Sequence, residues 1–262
     1  MNIIKYELKR HLKSFIFWAL GISLLSVYGM LEYSGINQTG VAMNELMAAF
    51  PKIVLVIFGM SGFDITELIG YYGVLFIYIE IMMAIFALNH GYNTTALEIN
   101  DKTSEFIYTK PVARGYVTLM KMLASMFYII LFVLISYASV IIGIKLNNLN
   151  NNVENILLLF HFSLLLIGLL FFSLGSFFGA INEKKGTLIG NLILLFSYIV
   201  GIFYDIIEHN QIIRLLSPLK YFDLVKIINE KNISIIYIVI TIVLILVMLT
   251  ASNIIMKYKN LE

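Results

Sequence analysis

Cysteine is absent from this sequence, which excludes a disulfide framework, a thiolate metal site and a cysteine nucleophile. Charge is scarce too. Only 13% of the 262 residues are charged, about half the roughly 25% of a soluble globular domain. The 18 basic and 16 acidic residues nearly cancel, leaving +2, so there is no basic stripe to compensate the phosphates of a nucleic acid. A P-loop of the form GxxxxGK(S/T), an HExxH helix and a GxSxG elbow are all missing. The four histidines, His11, His90, His161 and His209, lack the spacing of a zinc pair with a carboxylate. The sequence thus assigns no catalytic residue and no metal ligand, and it leaves little room for a soluble catalytic domain.

What the sequence has in abundance is apolar surface: 60% of its residues are hydrophobic, and the mean hydropathy is +0.90. A bilayer core about 30 Å thick takes roughly 20 apolar residues per helix. Six stretches nearly free of charge meet that length: Ser14 to Leu31, Leu68 to Leu97 (interrupted only by Glu80), Met122 to Ile144, Asn155 to Asn182, Gly186 to Tyr204 and Asn232 to Met256. They are apolar on all faces, whereas the strands of a lipid-facing barrel alternate with period two. The expectation is an all-α membrane protein, a single domain over 1–262, with spans at about 14–31, 70–91, 119–144, 156–181, 186–207 and 233–256.

The basic start before the first span, MNIIKYELKRHLKSF, places Ile3, Ile4, Leu8, Leu12 and Phe15 at helical spacing among Lys5, Lys9, Arg10 and Lys13. This pattern predicts an amphipathic N-terminal helix on an anionic leaflet rather than a cleaved signal, since no small-x-small site follows the apolar run. With both termini cytoplasmic, 12 of the 18 Lys and Arg fall inside, and Lys52, Lys145, Arg214, Lys220, Lys226 and Lys231 fall outside. The two long outer loops carry apolar residues at helical spacing. These are Leu46, Met47, Phe50, Val54, Ile57 and Phe58 in the first, and Leu219, Phe222, Val225 and Ile228 after Ser217-Pro218 in the second. Both are read as short interfacial or re-entrant helices, with Ser217 as N-cap and Pro218 as first helical residue.

Within the spans, Glu80 is the one ionisable side chain at depth; it marks a translocation path or a proton-linked switch, or else is a protonated carboxyl hydrogen-bonded to a neighbouring helix. Gly175 and Gly179, followed by Gly186 and Gly190, have the spacing that lets helix backbones approach closely. They are assigned to packing of the fourth span on the fifth through the short connection 182–185. His161 is assigned to a hydrogen-bonded core position, and Trp18 and Tyr71-Tyr72 to interface anchors.

The one sizeable loop on the cytoplasmic side, Tyr92 to Lys121, reads YNTTALEINDKTSEFIYTKPVARGYVTLMK and holds most of that side's acidic residues. On a helix Glu98, Asp101 and Glu105 form an acidic stripe beside an apolar one of Ile99, Thr103 and Phe106. Pro111 then breaks the helix, and a new one can start at Val112.

Here the chain resembles the permease subunits of type-2 ABC exporters, whose corresponding loop combines an acidic residue, a Thr, an apolar run, a Pro-Val/Leu-x-Arg turn and a Lys entering the next span. The matching residues are Glu98, Thr103, Glu105, Phe106, Pro111, Val112, Arg114 and Lys121, and many members have Gly where Lys102 stands. The resemblance extends to the order of elements along the chain. It implies a bacterial cytoplasmic-membrane permease that pairs with a second copy or a paralogue and rests on a separate ATP-binding subunit. It also implies that the loop, about 94–114 and including Asp101, is the coupling helix. ATP and Mg would then bind the partner, with no cofactor on this chain, and lipid would surround it. Two other readings remain open on the residues alone: a proton-coupled secondary transporter using Glu80, and an intramembrane enzyme.

Overall fold

Six long helices cross the molecule side by side in a computed structural model that describes residues 3–38, 47, 49–103, 113–149, 153–207 and 210–259. In chain order the elements are α1 (Ile3–Gln38), α2 (Lys52–Ile57), α3 (Leu68–Asn100), α4 (Arg114–Leu146), α5 (Glu154–Ile181), α6 (Gly186–Ile206), α7 (Gln211–Leu216), a single 3-10 turn (Pro218–Lys220), α8 (Leu224–Glu230) and α9 (Ile235–Tyr258). No strand occurs among the described residues. Helices α1, α3, α4, α5, α6 and α9 are each long and apolar enough to span a bilayer.

At the centre, α3 packs along α5, and both are more enclosed than the outer helices α1, α6 and α9. Glycine makes this approach possible. A Cβ on Gly91 would lie 2.0 Å from the Phe172 carbonyl oxygen, and one on Gly175 would lie 2.0 Å from that of Leu88. Gly179 faces Thr95 and Tyr92 of α3 and also lies against Gly186 of α6, so Gly175 serves α3 and Gly179 serves both, where α6 alone was expected. Gly186 does meet α5, while Gly190 meets Leu88 of α3. The seam is completed by hydroxyls: Ser176 and Ser252 pair at 2.7 Å, and Thr95 Oγ1 donates to the Ser176 carbonyl at 3.1 Å. Helix α1 lies chiefly on α4, and α9 on α5.

Three local expectations change. The basic N-terminal segment is not a separate surface helix but the first turns of the 36-residue α1, because no glycine or proline interrupts the chain before Gly21. Its inward face is Glu7, His11 and Phe15, while Leu12 points outward; the polar surroundings described below explain that choice. In the first outer loop Pro51 precedes α2 instead of lying inside a longer stripe, and Val56 is the buried residue while Phe50, Ile57 and Phe58 are exposed. Leu46 lies outside the described residues. In the second loop Pro218 opens only the 3-10 turn, and the helix proper restarts at Leu224, capped by Asp223, whose Oδ1 accepts from Val225 N at 3.1 Å and Lys226 N at 3.3 Å. Ser217 instead donates to the Ser197 carbonyl at 2.7 Å.

His161 is a core residue, hydrogen-bonded to the Leu157 carbonyl at 2.8 Å and to Ser136 Oγ at 3.2 Å. Tyr72 stacks on it and is buried, so Tyr72 is part of the core and not an interface anchor. Trp18 packs against the core with its ring edge near Phe86.

Candidate functional site

The two ends of the bundle differ in what they do with charge. At the end that holds both termini, α3 finishes in a Schellman turn: Lys102 N donates to the Ile99 carbonyl at 3.2 Å and Thr103 N to that of Glu98 at 2.9 Å. Lys102 therefore takes a left-handed φ of 54°, the conformation that glycine adopts without a steric penalty. This turn fixes the exit of the segment that follows. Glu105, Phe106, Pro111 and Val112 lie outside the described residues, and Thr103 is exposed at the edge.

The last turn of α3 is held from two sides. Arg10 of α1 reaches across with Nη1 to Glu98 Oε1 at 2.9 Å and with Nη2 to Asp101 Oδ2 at 3.2 Å, one guanidinium forking two carboxylates at i and i+3. Lys121 of α4 bonds Glu98 Oε2 and donates to the Asn93 carbonyl at 3.3 Å. Glu98 and Lys121 are each only 2% exposed, whereas Asp101 is open to solvent. Beneath them Glu7 and His11 approach to 3.4 Å, and the His11 and His90 rings lie 5.1 Å apart. This polar floor turns Glu7 and His11 inward.

A second set of bonds ties the same end together. Arg114 donates to the Lys259 carbonyl at 2.9 Å. Lys259 Nζ donates to the Ala180 carbonyl at 2.8 Å and pairs with Glu183 at 2.7 Å. That pairing holds the Glu183 carboxyl below its ordinary value of 4.5. Asn100 reaches the Glu183 carbonyl at 2.7 Å, and Tyr92 bonds the same oxygen. Sequence spacing grouped Glu98, Asp101, Arg114 and Lys121 in one loop, and the structure brings them to one end. Arg10, His11, Glu183 and Lys259 were missed as members. The available signal was Arg10 itself, an arginine among lysines, since arginine is the cation suited to forked carboxylate pairs.

At the opposite end Glu80 of α3 is 4% exposed, and its Oε1 has no hydrogen-bond partner among the described residues. It lines a cavity of about 90 Å³ together with Ser61, Ser197, Asp205, Lys220 and Asp223. Lys220 pairs with Asp205 at 2.6 Å, and Asp223 accepts from the Tyr204 hydroxyl at 3.1 Å while capping α8. The lining comes from α3, α6, the first outer loop and the turn before α8, so both outer loops help to enclose Glu80. No group of three or more His, Asp or Glu side chains suited to a metal ion occurs among the described residues.

A family model described as "ABC-2 family transporter protein" matches residues 1–259. No curated protein matches the chain.

Proposed function

The chain belongs to the ABC-2 transporter family, a membrane permease subunit that works with an ABC ATP-binding subunit, and from that membership we propose that it is the translocating half of an ATP-driven exporter. The segment 94–114 is its coupling helix. ATP and Mg bind the partner and not this chain, which carries no ATPase site of its own. Thr103, Glu105 and Phe106 meet the partner, and Pro111 ends the lever. Two permeases, identical or paralogous, enclose the path, with both termini on the cytoplasmic side of a bacterial membrane. The exposed faces of α1, α6 and α9, with Phe17, Leu24, Leu192 and Leu246 outward, are its lipid surface.

The observation that carries this reading is the double tether of Glu98. A motor protein can transmit a push only through a rigid element fixed to the parts it must move. Arg10 and Lys121 join the end of α3 to α1 and α4, and Arg114 joins the start of α4 to the end of α9. Glu98, Asp101, Arg114 and Lys121 are therefore positioning residues of the lever, and the docking surface lies beyond Thr103. Glu80 belongs to the translocation path.

The test is copurification from native cells in mild detergent. A stoichiometric ATP-binding protein is expected with the wild type. Glu105→Lys with Phe106→Ala should release it while the permease stays monodisperse, and Glu98→Gln should weaken ATP-driven flux with the partner still bound. A permease that purifies alone and drives proton-dependent flux in liposomes would sink this reading.

A further inference from the structure

We propose that the cavity beside Glu80 binds the primary ammonium group of an amphipathic amine. This deepens the assignment of Glu80 to the translocation path, and rests on it, by naming the chemistry that the path selects.

Glu80 stands 12 residues into α3, about 18 Å along the helix at 1.5 Å per residue. Its Oε1 is buried without a partner among the described residues. An acceptor in that position is costly unless something brings it a donor. The vacant acceptor is a carboxyl, whose strongest hydrogen bonds come from cationic donors; among the described residues the other charged groups of the lining are Asp205, Asp223 and Lys220. Lys220 also demonstrates that an ammonium fits this lining, since its Nζ sits 2.6 Å from Asp205.

Among the described residues, two neighbouring cations are engaged elsewhere. Arg214 donates to the Lys220 and Tyr221 carbonyls at 2.9 Å each and lies 3.9 Å from the centroid of the Tyr237 ring. Lys226 faces the Tyr204 ring at 5.8 Å. A cavity of about 90 Å³ has room for an ammonium head group. Ile77, Ile81 and Ile202 line the same cavity and are only partly buried, giving an apolar tail a surface.

The permease alone, in phosphatidylcholine nanodiscs, is titrated with dodecylammonium after subtraction of empty discs, with dodecanol and dodecyl sulfate as controls of equal tail length. Saturable binding of dodecylammonium only is expected. Glu80→Gln should weaken it at least tenfold, while Glu80→Asp, which keeps the carboxyl group, retains most of it. Equal binding to wild type and Glu80→Gln, or equally tight binding of dodecanol, overturns the proposal. If Glu80→Gln does not fold, dodecyltrimethylammonium on the wild type decides: the primary amine should bind at least tenfold tighter, and equal affinity overturns the proposal. Phosphatidylethanolamine discs separate two sources of the same group. Competition assigns the site to an aminophospholipid headgroup, and unchanged binding assigns it to a free alkylamine; each retains the ammonium. Copurification of the ATP-binding subunit with the same protein reads the permease assignment separately. Amine binding that fails while the subunit copurifies overturns this inference alone.

Discussion

Glu98 and Glu80 lie on the same helix, both nearly inaccessible, yet their surroundings are opposite. Glu98 meets a guanidinium on one oxygen and an ammonium on the other. Glu80 has an oxygen with no partner among the described residues, beside a cavity whose ammonium is already paired with Asp205. The contrast teaches that burial by itself does not define a role. A carboxylate whose hydrogen bonds are met by the protein holds helices together, and one left unmet is available to something that arrives.

Replacing each carboxyl by its amide is the sharpest way to break that contrast. Glu98→Gln leaves Lys121 buried without its carboxylate and should cost about 3 kcal/mol, read as a lowered melting temperature in detergent. A change near zero would make Glu98 no more structural than Glu80. The next effect sharpens the position of the tether and has the opposite sign. Lys102→Gly relieves a left-handed residue in the turn that presents Glu98 and should stabilise by ~1 kcal/mol in the same assay.

The outer bond of the termini end gives a smaller signal that depends on pH. The Glu183 carboxyl is held below its ordinary value of 4.5 by the hydrogen bond from Lys259. Its folded value is thus below its unfolded one, so the stabilisation is fully present above about pH 4.5 and is lost as pH falls through the depressed value. Lys259→Met should flatten that acid-range slope and lower the melting temperature at neutral pH by the same small amount, because the pair is partly exposed. The smallest effect is expected at the other end. Glu80→Gln should alter the melting temperature by no more than about 1 kcal/mol allows, since it breaks no bond made by Oε1. A loss as large as that of Glu98→Gln would show that the cavity carboxylate is structural, and the contrast would fall.

Much of this was legible in advance. Each long apolar run lies in a helix long and apolar enough to span a bilayer, because within a single segment only a helix satisfies all the backbone hydrogen bonds in hydrocarbon. The family resemblance put Gly where Lys102 stands, and the left-handed φ of 54° is the conformation that suits a glycine. The partner of Glu98 was not legible, because Arg10 lies 88 residues away and no local spacing links them. Helical periodicity gave Leu12 and Phe15 of α1 the same standing, yet one points outward and the other is buried. Composition offered no sign that polar groups of α3 and α4 would wait on that face. The glycine pattern at Gly175 and Gly179 announced close packing but not which helix would approach: α3 meets both, and the expected α6 meets Gly179 only.

The sequence by itself determined that this chain is a bundle of membrane helices with its few charges gathered at the ends, since transfer free energy depends on composition along a single run. Only the tertiary structure decided which buried charge found a partner. Pairing across helices depends on the rotation and depth of each helix, and these are set by packing among elements far apart in the chain. That is how one helix came to carry both a carboxylate tied by two cations and another that faces a cavity with an acceptor to spare.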